Sequence, residues 1–337
     1  MQALVYTMPH HVEVQEWPEP QLPANHVLVR VKAAAICGSD LHGFLGHSKI
    51  RIPPMVMGHE FAGEVIALGS AVTNIALGTR VTVQPLIGCG ACRNCRQGQS
   101  NRCPQRQLMG AHLQGGFAER IVVPRQALYI LPDSVAYTEA ALTEPLANGV
   151  HMARLAPINY EDVVVIGAGT LGLMALQAYR LNGARRVVVL DTAPNRLEVA
   201  KRLGAHATIN PATADVSAAV LAALDHELAA VVVEAVGRAV TRRQATELVR
   251  PGGTVVMLGL TEVESTFDML SAINREIRLQ CSYGSNDADM QNALSMIADG
   301  RVDVTSWVEQ IPLERGQEIF TRLVESPQEL VKAVFVF

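Results

Sequence analysis

Residues 162–172 read DVVVIGAGTLG, an uninterrupted apolar run that ends in three closely spaced glycines. Strands that are buried on both faces, as in a parallel sheet, have such apolar runs. The following residues, TLGLMALQAYRLNG (170–183), predict an apolar helix that Gly183 closes. The stretch therefore predicts a strand, a glycine turn and a helix, which together form one unit of a parallel α/β sheet.

Strands and helices continue to alternate on the C-terminal side of this unit. The predicted strands are RVVVLD (186–191), ATIN (207–210), AAVVVEAVG (229–237), GGTVVMLGL (252–260) and RLQCSYG (278–284), with helices at 194–205, 214–224 and 238–249 between them. Six strands with intervening helices predict two βαβαβ halves of a doubly wound, six-stranded parallel sheet over residues 151–285.

The glycine turn fits G-x-G-x-x-G and predicts a dinucleotide site. Gly167 permits the turn, Gly169 lets a pyrophosphate approach the backbone, and Gly172 lets the helix pack closely on the strand. The first helical N–H groups can bind the phosphates, and Leu171 lies among the residues expected to contact the cofactor. A glycine turn that serves packing alone is the alternative interpretation.

An acidic residue follows this turn at the spacing expected for ribose recognition. Asp191 lies nineteen residues after Gly172, at the end of the next predicted strand. Its carboxylate would accept hydrogen bonds from the ribose hydroxyls of NAD and repel the 2′-phosphate of NADP. NAD is therefore the expected cofactor, although Arg196 leaves NADP open and could equally lie along the adenine.

Residues 88–104 contain most of the cysteines of the chain. Their spacing, C-x2-C-x2-C-x7-C, allows four thiolates to surround one zinc ion tetrahedrally, with no position left for water or substrate. In a reducing compartment, clustered thiols bind metal more often than they form disulfides. The loop therefore predicts a structural zinc site formed by Cys89, Cys92, Cys95 and Cys103. Four unrelated surface cysteines and a nucleic-acid-binding zinc ribbon are the alternatives.

Residues 1–150 predict a different, mostly β domain. Val- and Ile-rich segments bounded by Gly or Pro indicate short strands, and a helix is expected at 138–156, bent or interrupted by Pro145. Residues 286–337 predict two helices and a terminal strand. The expected strands of the N-terminal part are 26–35, 61–69, 79–85 and 117–124, and the C-terminal elements are 287–300, 313–325 and 330–337.

Two stretches of the N-terminal part, ICGSDLH (36–42) and GHEFAGEV (58–65), contain further metal-ligand types. Cys37, His59 and Glu60 offer a thiolate, an imidazole and a carboxylate, which would leave a fourth zinc position open to water or substrate. A structural role for these residues is equally compatible with their spacing. Cys281, in a predicted strand, is expected to be a buried small hydrophobe.

The composition excludes several classes of protein. The chain has 337 residues and a formal net charge of -4, and no basic run indicates nucleic-acid binding. No N-terminal apolar segment resembles a signal peptide, and no stretch approaches the roughly 18 apolar residues that span a bilayer. A soluble, cytoplasmic protein with no membrane or nucleic-acid partner is expected.

These motifs occur together, and in the same order, in the zinc-dependent medium-chain dehydrogenases, and the sequence resembles the polyol branch of that superfamily over essentially its whole length. The resemblance implies a GroES-like catalytic domain made from residues 1–150 and 286–337, with a Rossmann NAD-binding domain between them. The motifs that carry it are GHEFAG (58–63) with Gly69, the four-cysteine loop, CGSDLH (37–42), GGFAE (115–119), TEPLANGVH (143–151) and GAGTLG with Asp191.

The resemblance also implies the metal ligands. It assigns a catalytic zinc to Cys37 and His59, with Glu60 and Glu144 sharing the remaining coordination with water, and two zinc ions to each chain. Glu144 stands where simple alcohol dehydrogenases have a third thiolate. This departure favours the polyol, threonine and sugar-acid dehydrogenases.

By the same resemblance, Ser39 contacts the substrate oxygen and His42 passes the proton outward through the cofactor ribose. A local turn cap and a packing role are their alternatives from the sequence alone. Lys49 and Arg51 are candidates to meet a carboxylate or phosphate of the substrate, and His112 to line the pocket.

The expected reaction is the oxidation of a secondary alcohol of a polyol, sugar acid or sugar phosphate to a ketone, with hydride transfer to NAD. The substrate is thus a small polar alcohol, and by analogy with the family the enzyme is a homodimer or homotetramer. The alternatives are an L-threonine-type dehydrogenase, a zinc-independent enone or quinone reductase of the same fold, and a non-enzymatic NAD-binding regulator.

Overall fold

The computed structural model describes all residues from Met1 to Phe337 and divides into two compact units. Unit 1 combines Met1–Glu144 with Asn286–Phe337, and unit 2 is Pro145–Ser285. The C-terminal segment thus belongs to the same unit as the N-terminal half. The first break lies before residue 150, the boundary expected from the sequence. None of the helices has both the length and the apolar character needed to cross a membrane.

The secondary-structure elements are numbered in chain order. The strands are β1 (Gln2–Met8), β2 (His11–Glu16), β3 (His26–Ala35), β4 (Met55–Val56), β5 (Glu60–Leu68), β6 (Arg80–Val83), β7 (Leu86–Ile87), β8 (Gln107–Leu108), β9 (Arg120–Pro124), β10 (Leu128–Ile130), β11 (Asp162–Ile166), β12 (Arg186–Leu190), β13 (Ala207–Ile209), β14 (Ala229–Glu234), β15 (Val249–Met257), β16 (Arg278–Cys281), β17 (Val308–Pro312) and β18 (Lys332–Val336). The α-helices are α1 (Gly38–Phe44), α2 (Arg93–Arg96), α3 (Tyr137–Ala141), α4 (Thr143–Leu155), α5 (Thr170–Leu181), α6 (Pro194–Arg202), α7 (Val216–Ala223), α8 (Ala239–Leu248), α9 (Met269–Asn274), α10 (Asp287–Ala298) and α11 (Gly316–Glu325).

Unit 1 is built around a seven-stranded sheet in the order β10-β6-β5-β3-β18-β17, with β9 also paired to β3. Strand β3 lies between β5 and β18, and both pair with it antiparallel. Val31 faces Gly63 across the first of these pairs, and a Cβ on Gly63 would lie 2.0 Å from the carbonyl oxygen of Arg30. Only glycine fits there, so the close pairing of β3 and β5 depends on it.

The pairing of β3 with β18 joins the two sequence segments of unit 1. Val334 lies opposite Ala35, so the last strand of the chain runs beside the end of β3 that leads into helix α1. Phe335 and Phe320 both pack edge-to-face on Phe117 in the core of this unit. The C-terminal segment is therefore part of the core of unit 1.

Unit 2 has the predicted α/β fold. Its six strands are parallel in the order β13-β12-β11-β14-β15-β16, which is the doubly wound Rossmann order. Every residue of β11 is buried, as expected for a central parallel strand covered on both faces. The direction of winding reverses between β11 and β14, and ligands of such sheets bind at the carboxyl ends of the strands beside this point.

Two local predictions differ from the structure. The helix expected at 138–156 is two helices, α3 and α4, which are separated at Leu142. Pro145 lies in the first turn of α4, where its missing N–H removes no helical hydrogen bond. The prediction that Cys281 is buried is wrong: it is exposed, because β16 is the edge strand of the sheet.

Candidate active site and metal centres

The four-cysteine loop brings its sulfurs together. The Sγ atoms of Cys89, Cys92, Cys95 and Cys103 all lie within 4.8 Å of one another. The loop can turn this tightly because Gly90 and Gly98 adopt positive φ angles of 73° and 70°. A Cβ on Gly88 would lie 2.8 Å from the Cys95 sulfur, so this position also requires glycine. Four convergent sulfurs fit a closed tetrahedral zinc site.

Backbone N–H groups of the loop point at these sulfurs. The N–H of Cys89 donates to the Cys103 sulfur at 3.4 Å, and the N–H of Cys92 donates to the Cys89 sulfur at 3.4 Å. Hydrogen bonds from the N–H groups of Ala91 and Cys92 lower the pKa of the Cys89 thiol to about 6. Hydrogen bonds of this kind stabilise thiolates, the form that binds zinc.

The second candidate metal site lies where β3 and β5 pair. Ala35, at the end of β3, faces Glu60 at the start of β5, so Cys37 and His59 are brought to the same place. The ligand atoms of Cys37, His59 and Glu60 lie within 4.8 Å of one another. This set of one sulfur, one nitrogen and one oxygen is typical of zinc sites that keep a position for water or substrate.

A residue that the sequence analysis missed, Asp40, organises these ligands. Its fully buried carboxylate accepts the N–H of Cys37 at Oδ2 over 3.0 Å, and its Oδ1 lies 3.5 Å from Nδ1 of His59. Burial acts to raise the pKa of Asp40, but His59, Arg51 and the Cys37 N–H together hold it below its usual value. A carboxylate on Nδ1 leaves Nε2 of the imidazole as the metal-binding nitrogen, a common arrangement in zinc sites.

Lys332 is a second residue that the sequence analysis missed. It is 2% exposed, and its ammonium group forms an ion pair with Oε2 of Glu60. Burial acts to lower the pKa of Lys332, but the negative groups of Glu60, Cys37 and Glu144 raise it above its usual value. Strand β18 therefore contributes a buried cation next to a candidate metal ligand.

The charges at this site fit a divalent cation. If the thiol were ionised and the imidazole neutral, as both are when they bind metal, the cluster would hold four negative and two positive groups and would be net negative. Buried charges are costly unless they are paired or coordinate a metal. The negative groups are Cys37, Asp40, Glu60 and Glu144, and the positive groups are Arg51 and Lys332.

Glu144 lies at the start of α4 and is 8% exposed. It is not among the three residues whose ligand atoms converge within 4.8 Å. Its charge nevertheless acts on Lys332, which places it in the neighbourhood of the cluster. The carboxylate of Glu60 thus lies nearer to the ligand atoms of Cys37 and His59 than the carboxylate of Glu144 does.

Arg51 does not lie where an anionic group of a substrate could readily meet it. It is buried, and its Nη2 donates to Oγ of Ser39 at 2.9 Å. Lys49 is exposed. His112 is also exposed, and its Nδ1 accepts the N–H of Leu108. Of the two basic residues proposed to recognise an anion, only Lys49 is therefore accessible.

His42, the expected proton carrier, is exposed on α1, with its ring 5.3 Å from that of His47. Partial burial, His47 and Arg51 lower the pKa of His42 below its usual value. The imidazole therefore favours its neutral form near pH 7 and can accept a proton.

The glycine turn of unit 2 has the geometry that a dinucleotide site requires. Gly167 has a φ of 98°, and a Cβ on Gly172 would lie 1.7 Å from the carbonyl oxygen of Gly167. A Cβ on Gly169 would meet only Nη1 of Arg196, at 4.0 Å. Gly172 is therefore required by packing, whereas the space beside Gly169, at the N-terminus of α5, is open.

Asp191 is also part of this turn. Its Oδ2 accepts the N–H of Ala168 at 2.7 Å, and its Oδ1 accepts the N–H of Ala193 at 2.8 Å. The carboxylate thus ties the end of β12 to the glycine turn. The turn, the helix N-terminus and Asp191 form one site at the carboxyl ends of β11 and β12.

The chain matches two family models: the alcohol dehydrogenase GroES-like domain over residues 23–133 and the zinc-binding dehydrogenase domain over residues 170–299. It is 35% identical over 325 residues to an L-threonine 3-dehydrogenase of Saccharopolyspora erythraea, covering 95% of each protein. The chain belongs to the zinc-dependent medium-chain dehydrogenases. It is also 31% identical to the sorbitol dehydrogenase of Bacillus subtilis, over 99% of this chain and 96% of that protein.

Solved structures agree with this assignment. A putative zinc-binding dehydrogenase of Sinorhizobium meliloti bound to NADP has a TM-score of 0.92 and 31% identity, over 100% of this chain and 99% of that chain. An Escherichia coli alcohol dehydrogenase in complex with NADH has a TM-score of 0.94 and 26% identity, with the same coverage. The fold and the oxidoreductase class acting on CH–OH groups are therefore confirmed.

Replacing Cys92 with serine is expected to remove one zinc ion from the chain and to lower the free energy of unfolding, because a structural zinc contributes directly to folding. Metal analysis and denaturant unfolding measure both effects. Cys281→Ser is the matched control, since this exposed thiol lies outside the cluster. Unchanged zinc content and stability in Cys92→Ser would contradict a structural zinc in this loop.

In the metal-free protein, replacing Lys332 with methionine should lower the free energy of unfolding by about 3–5 kcal/mol, because the buried carboxylate of Glu60 loses its partner. The free energy of unfolding of the full chain is the measurement. Lys32→Met is the control: its ammonium lies 4.0 Å from Glu64 in a partly exposed pair, and its loss should cost less than about 1 kcal/mol. Equal losses of unfolding free energy in the two variants would show that the buried ion pair contributes no more stability than the partly exposed one.

Replacing Gly169 with alanine should weaken NAD binding at least tenfold, or about 1.4 kcal/mol, because the added methyl group would occupy the space that the pyrophosphate approaches. The free energy of unfolding should not change, because in the protein alone this methyl group meets open space. Gly172→Ala should lose both affinity and stability. Titration calorimetry and denaturant unfolding separate the two effects. Full NAD affinity in Gly169→Ala would argue against a pyrophosphate at this turn.

Proposed function

We propose that this protein is an NAD-dependent dehydrogenase that oxidises a secondary alcohol of a polyol, sugar acid or sugar phosphate to a ketone. The observation that carries the proposal is the convergence of Cys37, His59 and Glu60, with ligand atoms within 4.8 Å of one another. A closed structural site has four protein ligands, whereas three ligands leave a place for substrate.

In this proposal, Cys37, His59 and Glu60 hold a zinc ion, and Glu144 lies nearby. Bound zinc supplies Lewis acidity that lets an alcohol lose its proton near neutral pH, and bound NAD accepts the hydride. Ser39 contacts the substrate oxygen, and exposed His42 accepts the departing proton. The four cysteines hold a second zinc ion that takes no part in the reaction.

The preference for NAD rests on Asp191. Its carboxylate is fixed by the N–H groups of Ala168 and Ala193 and keeps free lone pairs for the ribose hydroxyls. A 2′-phosphate would meet this negative charge. Arg196, beside Gly169, is the group that would favour NADP, and the solved relatives include proteins bound to each form.

An L-threonine-type dehydrogenase is the second candidate. Its support is the 35% identity, over 95% of both chains, to an L-threonine 3-dehydrogenase. A polyol or sugar acid is preferred because sorbitol dehydrogenase is similar over almost the entire chain. The zinc-independent reductase is disfavoured because the three candidate ligands and their buried partners are all present.

The proposal is tested with a panel of polyols, sugar acids, sugar phosphates and L-threonine, each supplied with NAD and then with NADP. Absorbance of the reduced cofactor should rise with at least one secondary alcohol, and more strongly with NAD. The zinc-loaded Cys37→Ala variant should show no turnover, because the site loses its thiolate. Turnover with L-threonine alone would select the second candidate.

Two results would contradict the proposed chemistry. NAD binding without turnover on any member of the panel would indicate a regulator rather than an enzyme. Near-normal kcat in Cys37→Ala, with one zinc ion fewer per chain, would show that the metal at this position is not needed for the reaction. Cys281→Ser again serves as the control thiol substitution.

A further inference from the structure

Arg51 carries a guanidinium group into the interior of unit 1, although it lies in a segment whose neighbouring residues are exposed. The side chain is 4% exposed, its Nη2 donates to Oγ of Ser39 at 2.9 Å, and its Nε lies 3.3 Å from Oδ1 of Asp40. The donors of a guanidinium form a rigid, planar fork. Arg51 therefore connects the two residues, through a hydrogen bond from Nη2 to Ser39 and an ion pair between Nε and Asp40.

The same carboxylate connects Arg51 to the candidate metal ligands. Oδ1 of Asp40 lies 3.5 Å from Nδ1 of His59, and Oδ2 accepts the N–H of Cys37 at 3.0 Å. A continuous series of polar contacts thus runs from Ser39 through Arg51 and Asp40 to His59. One end of the series is the residue expected to touch the substrate, and the other end holds the metal.

Packing holds Arg51 in this position. A Cβ on Gly43 would lie 2.5 Å from Cδ of Arg51, so the side chain packs against helix α1 at a position where that helix has no side chain. The N–H of Arg51 also donates to Oγ of Ser48 at 3.1 Å, which fixes the backbone. The helix, the loop and the guanidinium fit only in this arrangement.

We propose that Arg51 is a positioning residue for the dehydrogenase reaction, and that its guanidinium holds the Ser39 hydroxyl and the Asp40 carboxylate in one fixed geometry. A hydroxyl has one donor and two acceptor sites. Because Arg51 occupies one acceptor site, Ser39 keeps the other, together with its own proton, for the substrate oxygen and the next proton acceptor. The inference rests on the proposed function, which gives Ser39 its contact with the substrate.

The test compares Arg51→Met and Arg51→Lys with Arg30→Met at saturating zinc. In Arg51→Met, kcat should fall about 10- to 100-fold, the usual effect of removing a partner of a metal ligand, while KM for NAD stays unchanged. Arg51→Lys keeps the charge but lacks the fork, and should recover only part of the lost kcat. Arg30→Met removes a half-exposed guanidinium 3.8 Å from Glu64 and should have normal kcat.

Gly43→Ala provides an independent variant, since it retains Arg51 but forces the guanidinium out of place. It should reproduce the fall in kcat. The visible absorption of the cobalt-substituted full chain adds a measurement that needs no turnover. Because the four-cysteine site also binds cobalt, the bands of the ion at Cys37 are obtained by subtracting the spectrum of Cys37→Ala. These bands should shift in Arg51→Met and not in Arg30→Met, because Asp40 no longer fixes His59 and Cys37.

Two results would overturn the inference: wild-type kcat in zinc-saturated Arg51→Met, and full recovery by Arg51→Lys. The first, with a defect only at limiting zinc, would limit Arg51 to metal retention, and the second would show that charge alone suffices. If the wild-type protein oxidises no alcohol, the proposed function fails, and only the cobalt spectrum then tests the role of Arg51. An unchanged spectrum in Arg51→Met would then overturn the role of Arg51.

Discussion

The buried carboxylate of Asp40 is the group on which the geometry of the candidate active site depends. It contacts the backbone of Cys37, the imidazole of His59 and the guanidinium of Arg51, and it is fully buried. An ionised carboxylate in such a place is stable only if every oxygen has a partner. The carboxylate therefore links the start of helix α1, the residue before β5 and the loop before β4 through one hydrogen bond and two ion pairs.

A related constraint explains why the chain returns to unit 1 after completing unit 2. Strand β18 pairs with β3 and brings Lys332 to the carboxylate of Glu60, about 270 residues earlier in the sequence. Without this cation, the candidate ligand would be a buried anion next to the thiol of Cys37 and two further acids. The C-terminal strand thus completes the core of the unit and also balances the charge of the candidate metal site.

Much of the architecture could be predicted from the sequence because its signals are local. Strand β3 has the predicted limits, and the glycine turn with Asp191 follows from a spacing of a few tens of residues. The sequence could not predict the buried positions of Asp40, Arg51 and Lys332, because the sequence alone does not show whether a charged residue is buried. The sequence predicts that Arg51 either meets a carboxylate or phosphate of the substrate or is a solvated loop charge, and only the pairing of β3 with β5 and β18 shows that these charges meet inside the protein.

The two candidate metal sites differ in how strongly the sequence predicts them. The four cysteines lie within fifteen residues, so one loop can close around an ion with little help from the rest of the fold. Cys37 and the pair His59 and Glu60 lie on separate segments of the chain, so their spacing alone cannot fix the geometry of a site that would leave a position for substrate. The geometry of these candidate ligands instead depends on their contacts with Asp40, Arg51 and Lys332, whose positions depend on the assembled sheet. An open site must be held by its surroundings, and this is why its sequence signal is weaker than that of the closed site.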